Sequence, residues 1–121
     1  MPERSHETNG ETLPIKAAAM KFDYLVTLLP LFQVFPDVQR VILFGSRARG
    51  DHQERSDIDL AVDAPDMDIL EWDKLCLSIT DNSKTLLSID LIWLQQASAE
   101  LAKRIKREGV VVFEREDKAI N

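Results

Sequence analysis

The residues best suited to chemistry lie in one short stretch, from Gly45 to Asp59. A Gly-Ser pair at positions 45 and 46 is followed by residues 47–56 and then by two aspartates one residue apart, Asp57 and Asp59. A glycine-flanked turn after a strand can bring backbone N–H groups close to a phosphate. Two carboxylates at positions i and i+2 of a strand point to the same face, and hard cations such as Mg2+ prefer such oxygen ligands. The spacing therefore predicts a site for a nucleoside triphosphate and its metal ions.

A third carboxylate, Asp90, interrupts the apolar segment 89–94. A lone carboxylate in such a strand is costly to bury without a partner. If Asp90 lies beside Asp57 and Asp59, the three concentrate negative charge, which divalent cations among them would make tolerable. We therefore predict that the three aspartates are metal ligands. The alternative is that Asp57 ends a turn and that Asp59 is a solvated strand residue paired with a neighbouring arginine.

The Gly-Ser turn and the two arginines after it are the predicted phosphate contacts. The Ser46 hydroxyl and the N–H groups near Gly45 can hold a terminal phosphate. The turn is too short for a Walker A loop, and no Gly-Lys-Ser/Thr follows it. Arg47 is predicted to bind phosphate oxygens bidentately and to offset the negative charge that develops during transfer. Arg49 is a second candidate for this role, with the alternative that it braces the loop against an aspartate.

Composition restricts the class of protein. The chain has 121 residues, 45% of them hydrophobic, and a net charge of −6, so we expect one domain and no nonspecific binding to nucleic acid. A single cysteine, Cys76, excludes an internal disulfide, and two histidines make a Cys/His zinc site unexpected. No apolar run approaches the ~20 residues of a membrane span, and the N-terminus lacks an apolar signal core. We therefore expect a cytoplasmic protein that does not bind membranes.

The elements that must position these residues follow from apolar periodicity. A helical pattern begins at Ile15 and places Ala18, Leu25, Leu28, Leu29 and Phe32 on one face. Pro30 is expected to end or kink this helix, or to lie in the first turn of a short second one. Further helices are predicted over roughly 68–80 and after Ser98, with Ser98 as N-cap and Gly109 at C′. Strands are predicted at 41–44, 57–62, 88–94 and 110–113.

This order of elements predicts an α/β domain with helices packed on a short sheet. A purely parallel sheet is the default, and a mixed sheet is the alternative. We expect a flexible tail over residues 1–14, one domain over residues 15–114 and a charged tail over residues 115–121. Trp72, Cys76 and Trp93 are predicted to be core residues. The basic residues of segment 103–107 are interpreted as a solvated helix end, with contact to the nucleotide or to a partner as the alternative.

These residues together resemble the signature of the minimal nucleotidyltransferases (MNT) of the DNA-polymerase-beta superfamily. That signature is Gly-Ser, ten residues, Asp-x-Asp and a later aspartate on a strand. The resemblance covers roughly residues 16–113, and the segment Phe44–Gly50 is especially typical. The matching residues are Gly45, Ser46, Asp57, Asp59 and Asp90.

The resemblance implies a polymerase-beta-like fold, a short mixed sheet flanked by helices. It also implies transfer of a nucleoside monophosphate, here AMP from ATP, to an acceptor hydroxyl with two Mg2+ ions bound. By position, Gly45 and Ser46 would hold the triphosphate, and Asp57 and Asp59 would bind both metals. Asp90 would bind the catalytic metal and accept the proton of the attacking hydroxyl.

The resemblance further implies a partner. Minimal nucleotidyltransferases often act with a small helical HEPN protein, an RNase toxin, and serve as the antitoxin that adenylylates a tyrosine of that toxin. Two alternatives stay open at this point. One is an antitoxin that only binds its partner and has a vestigial nucleotide site, and the other is a nucleotidyltransferase for small molecules of the antibiotic-modifying type.

Overall fold

A mixed four-stranded sheet organises the chain in a computed structural model that describes residues 22–115. The order across the sheet is β3-β2-β1-β4, with β1 antiparallel to β2 and β4, and β2 parallel to β3. The mixed sheet that the resemblance implied is confirmed, and the parallel default is wrong. The strands are β1 (Arg40–Phe44), β2 (Ile58–Asp63), β3 (Ile89–Trp93) and β4 (Val110–Glu114).

Four α-helices connect and cover these strands within residues 22–115. They are α1 (Leu29–Gln33), α2 (Ser46–Arg49), α3 (Ile69–Asn82) and α4 (Ala99–Glu108). The side chains of Asp68 and Ser98 cap α3 and α4 by accepting the N–H groups of Glu71 and Leu101, which satisfies donors that the helix itself leaves unpaired. The predicted N-cap at Ser98 is confirmed.

The first predicted helix is interrupted in the described part of the chain. A 3-10 turn covers Asp23–Leu25, and α1 begins at Leu29 with Pro30 in its first turn. The second alternative for Pro30 is therefore the observed one, because proline fits a first turn, where its missing N–H has no partner to lose. The four apolar residues of the predicted face that are described, Leu25, Leu28, Leu29 and Phe32, are fully buried. Ile15, Ala18 and the predicted tail over residues 1–14 lie outside the described residues, as do residues 116–121.

The two faces of the sheet carry cores of different size. One face packs Val41, Leu43, Leu60 and Val62 against α1, α3 and the 3-10 turn. The other face packs a smaller cluster against α4, made of Ile42, Phe44, Ala61, Ile105 and Val111. No helix within residues 22–115 has both the length and the apolar character that a membrane span requires.

Gly109 directly follows α4, where the sequence placed it. The residue has φ −75° and ψ 154°, so a left-handed backbone is not the reason that glycine is needed there. A Cβ there would overlap the Ile105 carbonyl oxygen and the Ile42 side chain. The glycine therefore allows α4 to approach β1 closely and turn directly into β4.

Candidate active site

Sheet register brings two of the three predicted carboxylates together. Asp59 on β2 is the direct partner of Asp90 on the parallel strand β3. Asp59 also lies opposite Phe44, the residue that precedes the Gly-Ser turn. Asp57 lies immediately before β2, one residue outside the strand predicted to contain it. Asp59 and Asp90 thus lie side by side on neighbouring strands, and Asp57 is close enough to raise the pKa of Asp59.

The electrostatics of Asp59 reflect this crowding. Burial raises the pKa of its carboxyl group above the ordinary value, and the negative charges of Asp90 and Asp57 raise that pKa further. Arg104 and Arg49 act in the opposite direction, with smaller effects. The ionised form of Asp59 is therefore disfavoured in the protein as it stands, and an added cation would favour it.

The turn at Gly45 packs directly onto Asp59. Gly45 has φ +78°, a backbone conformation that favours glycine, and a Cβ there would overlap the Asp59 carboxylate. Ser46 follows as the first residue of α2 and is half-buried. Because the first N–H groups of a helix have no partners within it, a ligand oxygen next to this turn could be bound by backbone donors and by the Ser46 hydroxyl.

The structure gives Arg47 contacts other than the predicted ones. Its side chain is 7% exposed, lies 4.8 Å from the centre of the Tyr24 ring and points into the following loop. Its Nε donates to the Ser56 carbonyl at 3.1 Å, and its Nη2 donates to the Glu54 carbonyl at 3.0 Å. These bonds hold the loop that carries Asp57. Arg47 therefore serves as a positioning residue, and the sequence alone gave no sign of which loop carbonyls it would reach.

Arg49 takes the bracing arrangement considered as its alternative. Its Nε donates to Asp51 Oδ2 at 3.1 Å, and its Nη1 donates to Glu108 Oε1 at 3.1 Å. The other Glu108 oxygen forms an ion pair with Arg104 Nε at 3.5 Å. Glu108 was not among the predicted site residues, because 59 residues separate it from Arg49 and only the fold brings them together.

The residues predicted to be core are near the surface but packed. Trp72 and Trp93 stack with ring centres 5.2 Å apart, and Trp93 Nε1 donates to the Ala64 carbonyl at 3.1 Å. Cys76 is a half-buried free thiol. The two tryptophans line an open groove of about 580 Å³ at the opposite end of β3 from Asp90. On β3, the side chains of Ile89, Leu91 and Trp93 all pack on the larger core.

The three aspartates offer the oxygen donors of a metal site without a preformed arrangement of them. No three acidic, histidine or cysteine side chains within residues 22–115 are already arranged to hold one ion together. The donor chemistry nevertheless suits a hard cation, since Asp57, Asp59 and Asp90 offer only carboxylate oxygens. Asp57 and Asp90 are exposed and can change rotamer, and a cation beside Asp59 would offset the burial and the like charges that raise its pKa.

Comparison with known proteins agrees with this geometry. The family model described as polymerase beta, nucleotidyltransferase matches residues 27–118. None of the curated proteins matches the chain in sequence. Among solved structures, one of a toxin–antitoxin with AMP-PNP is similar, with 27% identity and a TM-score of 0.61 over 75% of this chain and 73% of the other.

Two further solved structures are similar. A mutant of the toxin–antitoxin MntA-HpeT has 27% identity and a TM-score of 0.58 over 74% of this chain and 71% of the other. A tri-AMPylated Shewanella oneidensis HEPN toxin in complex with MNT antitoxin has 23% identity and a TM-score of 0.54 over 81% and 73%. At this identity the last similarity concerns the fold alone.

Proposed function

The chain belongs to the polymerase beta nucleotidyltransferase family, and we propose that it transfers AMP from ATP to a tyrosine hydroxyl of a HEPN-type toxin, as its antitoxin. The observation that carries this proposal is the direct pairing of Asp59 with Asp90 beneath the Gly45 turn. Adjacent carboxylates that lack a basic partner within residues 22–115, next to a glycine turn that packs onto one of them, suit phosphoryl chemistry better than a structural role.

Each site residue has a role in the proposed reaction. Gly45 and Ser46 bind the triphosphate, while Asp57, Asp59 and Asp90 hold Mg2+. When bound, the magnesium ions neutralise phosphate charge and stabilise both the attacking and the leaving oxygen. Arg47 keeps the loop of Asp57 in place through its two carbonyl contacts.

The proposed step is an in-line displacement at the α-phosphorus. The acceptor hydroxyl oxygen forms a bond to that phosphorus, and the bond to the oxygen that bridges to the β-phosphate breaks. Pyrophosphate leaves with that bonding electron pair. Asp90 accepts the hydroxyl proton, and because its side chain is exposed, an acceptor hydroxyl can reach it.

A protein acceptor is supported by the surface of α3. Ile69, Leu70 and Leu77 are 60%, 68% and 61% exposed, an apolar surface that suits contact with another protein. The similarity to a toxin–antitoxin with AMP-PNP at 27% identity supports a toxin as the partner and an adenine nucleotide as the substrate. A small-molecule acceptor has no comparable observation in its favour.

The test is intact-mass measurement of a HEPN protein encoded beside this chain, after incubation with the chain, ATP and MgCl2. We expect the partner to gain the mass of one or more adenylyl groups, located on tyrosine by peptide mapping. Asp59→Asn should abolish the gain, and Asp63→Asn, a change of the same type on the same strand, should retain it.

Two outcomes would contradict the proposal. A partner that is neutralised and bound without any mass gain would indicate an antitoxin that acts by binding alone. A mass gain that persists in Asp59→Asn would remove the carboxylate site from the reaction.

A further inference from the structure

The basic residues near the end of α4 do not share one environment. Lys103, Lys106 and Arg107 are exposed, as expected for a solvated helix end. Arg104 is different because its Nε forms an ion pair with Glu108, one turn further along α4. The same glutamate also pairs with Arg49, at the end of the helix that begins at Ser46. One member of the basic segment is therefore joined through Glu108 to the helix that follows the Gly-Ser turn.

Glu108 joins Arg104 to α2, the helix that begins directly after Gly45. Its side chain is 16% exposed, and its two oxygens contact different arginines, Arg49 from α2 and Arg104 from α4. A carboxylate shared in this way fixes the separation of two guanidinium groups. Because Arg49 lies in α2, which begins at Ser46, this bridge brings Arg104 to the helix that follows the Gly-Ser turn.

We propose that Arg49 and Arg104, held by Glu108, form a clamp that binds the phosphates of the nucleotide, with Arg104 as a phosphate ligand that the sequence signature does not contain. This inference rests on the proposed function and extends it to α4. The site needs such a clamp because three carboxylates repel a triphosphate, and metal ions next to the aspartates neutralise only the phosphate oxygens they contact.

The guanidinium groups have capacity for this role. Each has five N–H donors, whereas the contacts to carboxylates use Nε and Nη1 of Arg49 and Nε of Arg104. The side chains of Arg49 and Arg104 are 40% and 46% exposed, so a ligand can reach them without unfolding the site. Planar forks of this kind bind phosphate oxygens bidentately.

The matched control is Arg107, which is of the same type, lies on the same helix and is exposed. We would measure binding of a non-hydrolysable ATP analogue with Mg2+ by calorimetry, together with KM for ATP and kcat. Arg104→Ala should weaken analogue binding and raise KM about tenfold, with kcat within about threefold, since one charge-assisted phosphate contact is worth roughly this much. Arg107→Ala should change both by less than twofold. Melting temperatures of both variants confirm folding.

Arg104→Lys keeps the charge without the planar fork and should give an intermediate value. Equal weakening by Arg104→Ala and Arg107→Ala would overturn the clamp in favour of diffuse attraction, as would binding by Arg104→Ala equal to wild type. In either case transfer by the wild type would leave the proposed function intact. Failure of the wild type to bind the analogue and to transfer AMP would overturn both.

Discussion

Strand β2 carries an aspartate near each end of the same face, and the two have opposite surroundings. Asp63 accepts from Arg40 Nε at 2.9 Å with one oxygen and from Gln95 Nε2 at 2.7 Å with the other. Gln95 in turn accepts the N–H of Ala64. Asp59, four residues earlier, has Asp90 as its strand partner and Asp57 nearby.

Asp63 therefore stabilises the fold, whereas Asp59 lowers its stability. Asp63 is neutralised by an ion pair and a hydrogen bond, so its charge helps to join β2 to β1 and to the segment after β3. Asp59 is partly desolvated beside like charges, which lowers stability in the absence of a ligand. Such an arrangement is typical of a site that a bound cation and substrate complete.

Replacing each of these two aspartates by asparagine tests their difference most directly. Asp59→Asn should reduce AMP transfer by roughly 10²–10³-fold or more, the loss typical of removing one preorganised electrostatic group. Its melting temperature should equal or exceed that of the wild type, because a repelled charge is lost. Asp63→Asn should retain transfer and lower stability by about 1–2 kcal/mol through the weakened Arg40 contact. Transfer rates and thermal melts of the two variants check this prediction. A variant in which activity and stability fell together would contradict the comparison.

Glycine substitutions test whether the turn at Gly45 must pack closely on Asp59. Gly45 and Gly50 both have positive φ, at +78° and +90°, so alanine strains either position by about 1–3 kcal/mol. A Cβ at Gly50 meets nothing within 4 Å, whereas one at Gly45 overlaps the Asp59 carboxylate. Gly45→Ala should therefore abolish nucleotide binding, and Gly50→Ala should only lower the melting temperature. Equal loss of binding in the two variants would indicate that backbone strain alone is responsible.

Arg47 lies next to the candidate active site, but its side chain donates to carbonyls of the loop that precedes Asp57. Arg47→Ala removes two charge-assisted hydrogen bonds to loop carbonyls and should lower the free energy of unfolding by about 1.5–3 kcal/mol. Denaturant unfolding measures this loss, with Arg49→Ala as the comparison, because the exposed Arg49 contacts should contribute less. An unchanged stability combined with lost nucleotide affinity would instead place Arg47 on the phosphates.

The smallest effect is a pH dependence that belongs to Asp59. Its pKa in the folded protein is raised above the ordinary value of 3.8, so between these two values the folded state binds more protons than the unfolded state. The stability that this provides is complete below the ordinary pKa and is lost as pH rises through the raised one. Asp59→Asn should therefore have a flatter profile of melting temperature against pH across that window. Superimposable profiles would show that Asp59 does not titrate with a raised pKa.

Strand periodicity predicted only part of what the structure shows of the candidate site. Counting put Asp57 and Asp59 on one face, but Asp57 lies just before β2, whereas Asp90 is the strand partner of Asp59. Arg104 and Glu108 could not be assigned in this way, since only the packing of α4 on the second face of the sheet brings them to α2. Arg47 was predicted to contact phosphate because an arginine beside a turn looks the same whether it points outward or into the loop.

The fold was predictable to a similar depth. Apolar runs gave the four strands, and Ser98 gave the start of α4, because these signals are local. The relative direction of neighbouring strands does not follow from local sequence signals. β1 joins β2 through a loop and the single turn of α2, which permits an antiparallel pair, and periodicity alone does not distinguish this from a crossover. The position of Gly109 after α4 was predictable from local sequence, but its need for a missing Cβ was not, since part of that need comes from Ile42 on a strand far away in sequence.

The most direct test of the central claim is the thermal stability of the wild type with Mg2+, with ATP and with both. If the carboxylates at Asp59 hold a cation that in turn holds the triphosphate, each ligand improves the site for the other. Both together should then raise the melting temperature by more than the sum of MgCl2 alone and ATP with EDTA. Stabilisation should reach about 2.7 kcal/mol at a hundredfold excess over Kd. Asp59→Asn should lose most of this excess, Asp63→Asn should keep it, and Ser46→Ala should weaken it less than Asp59→Asn, as one contact among several. Strictly additive shifts in the wild type would contradict the account.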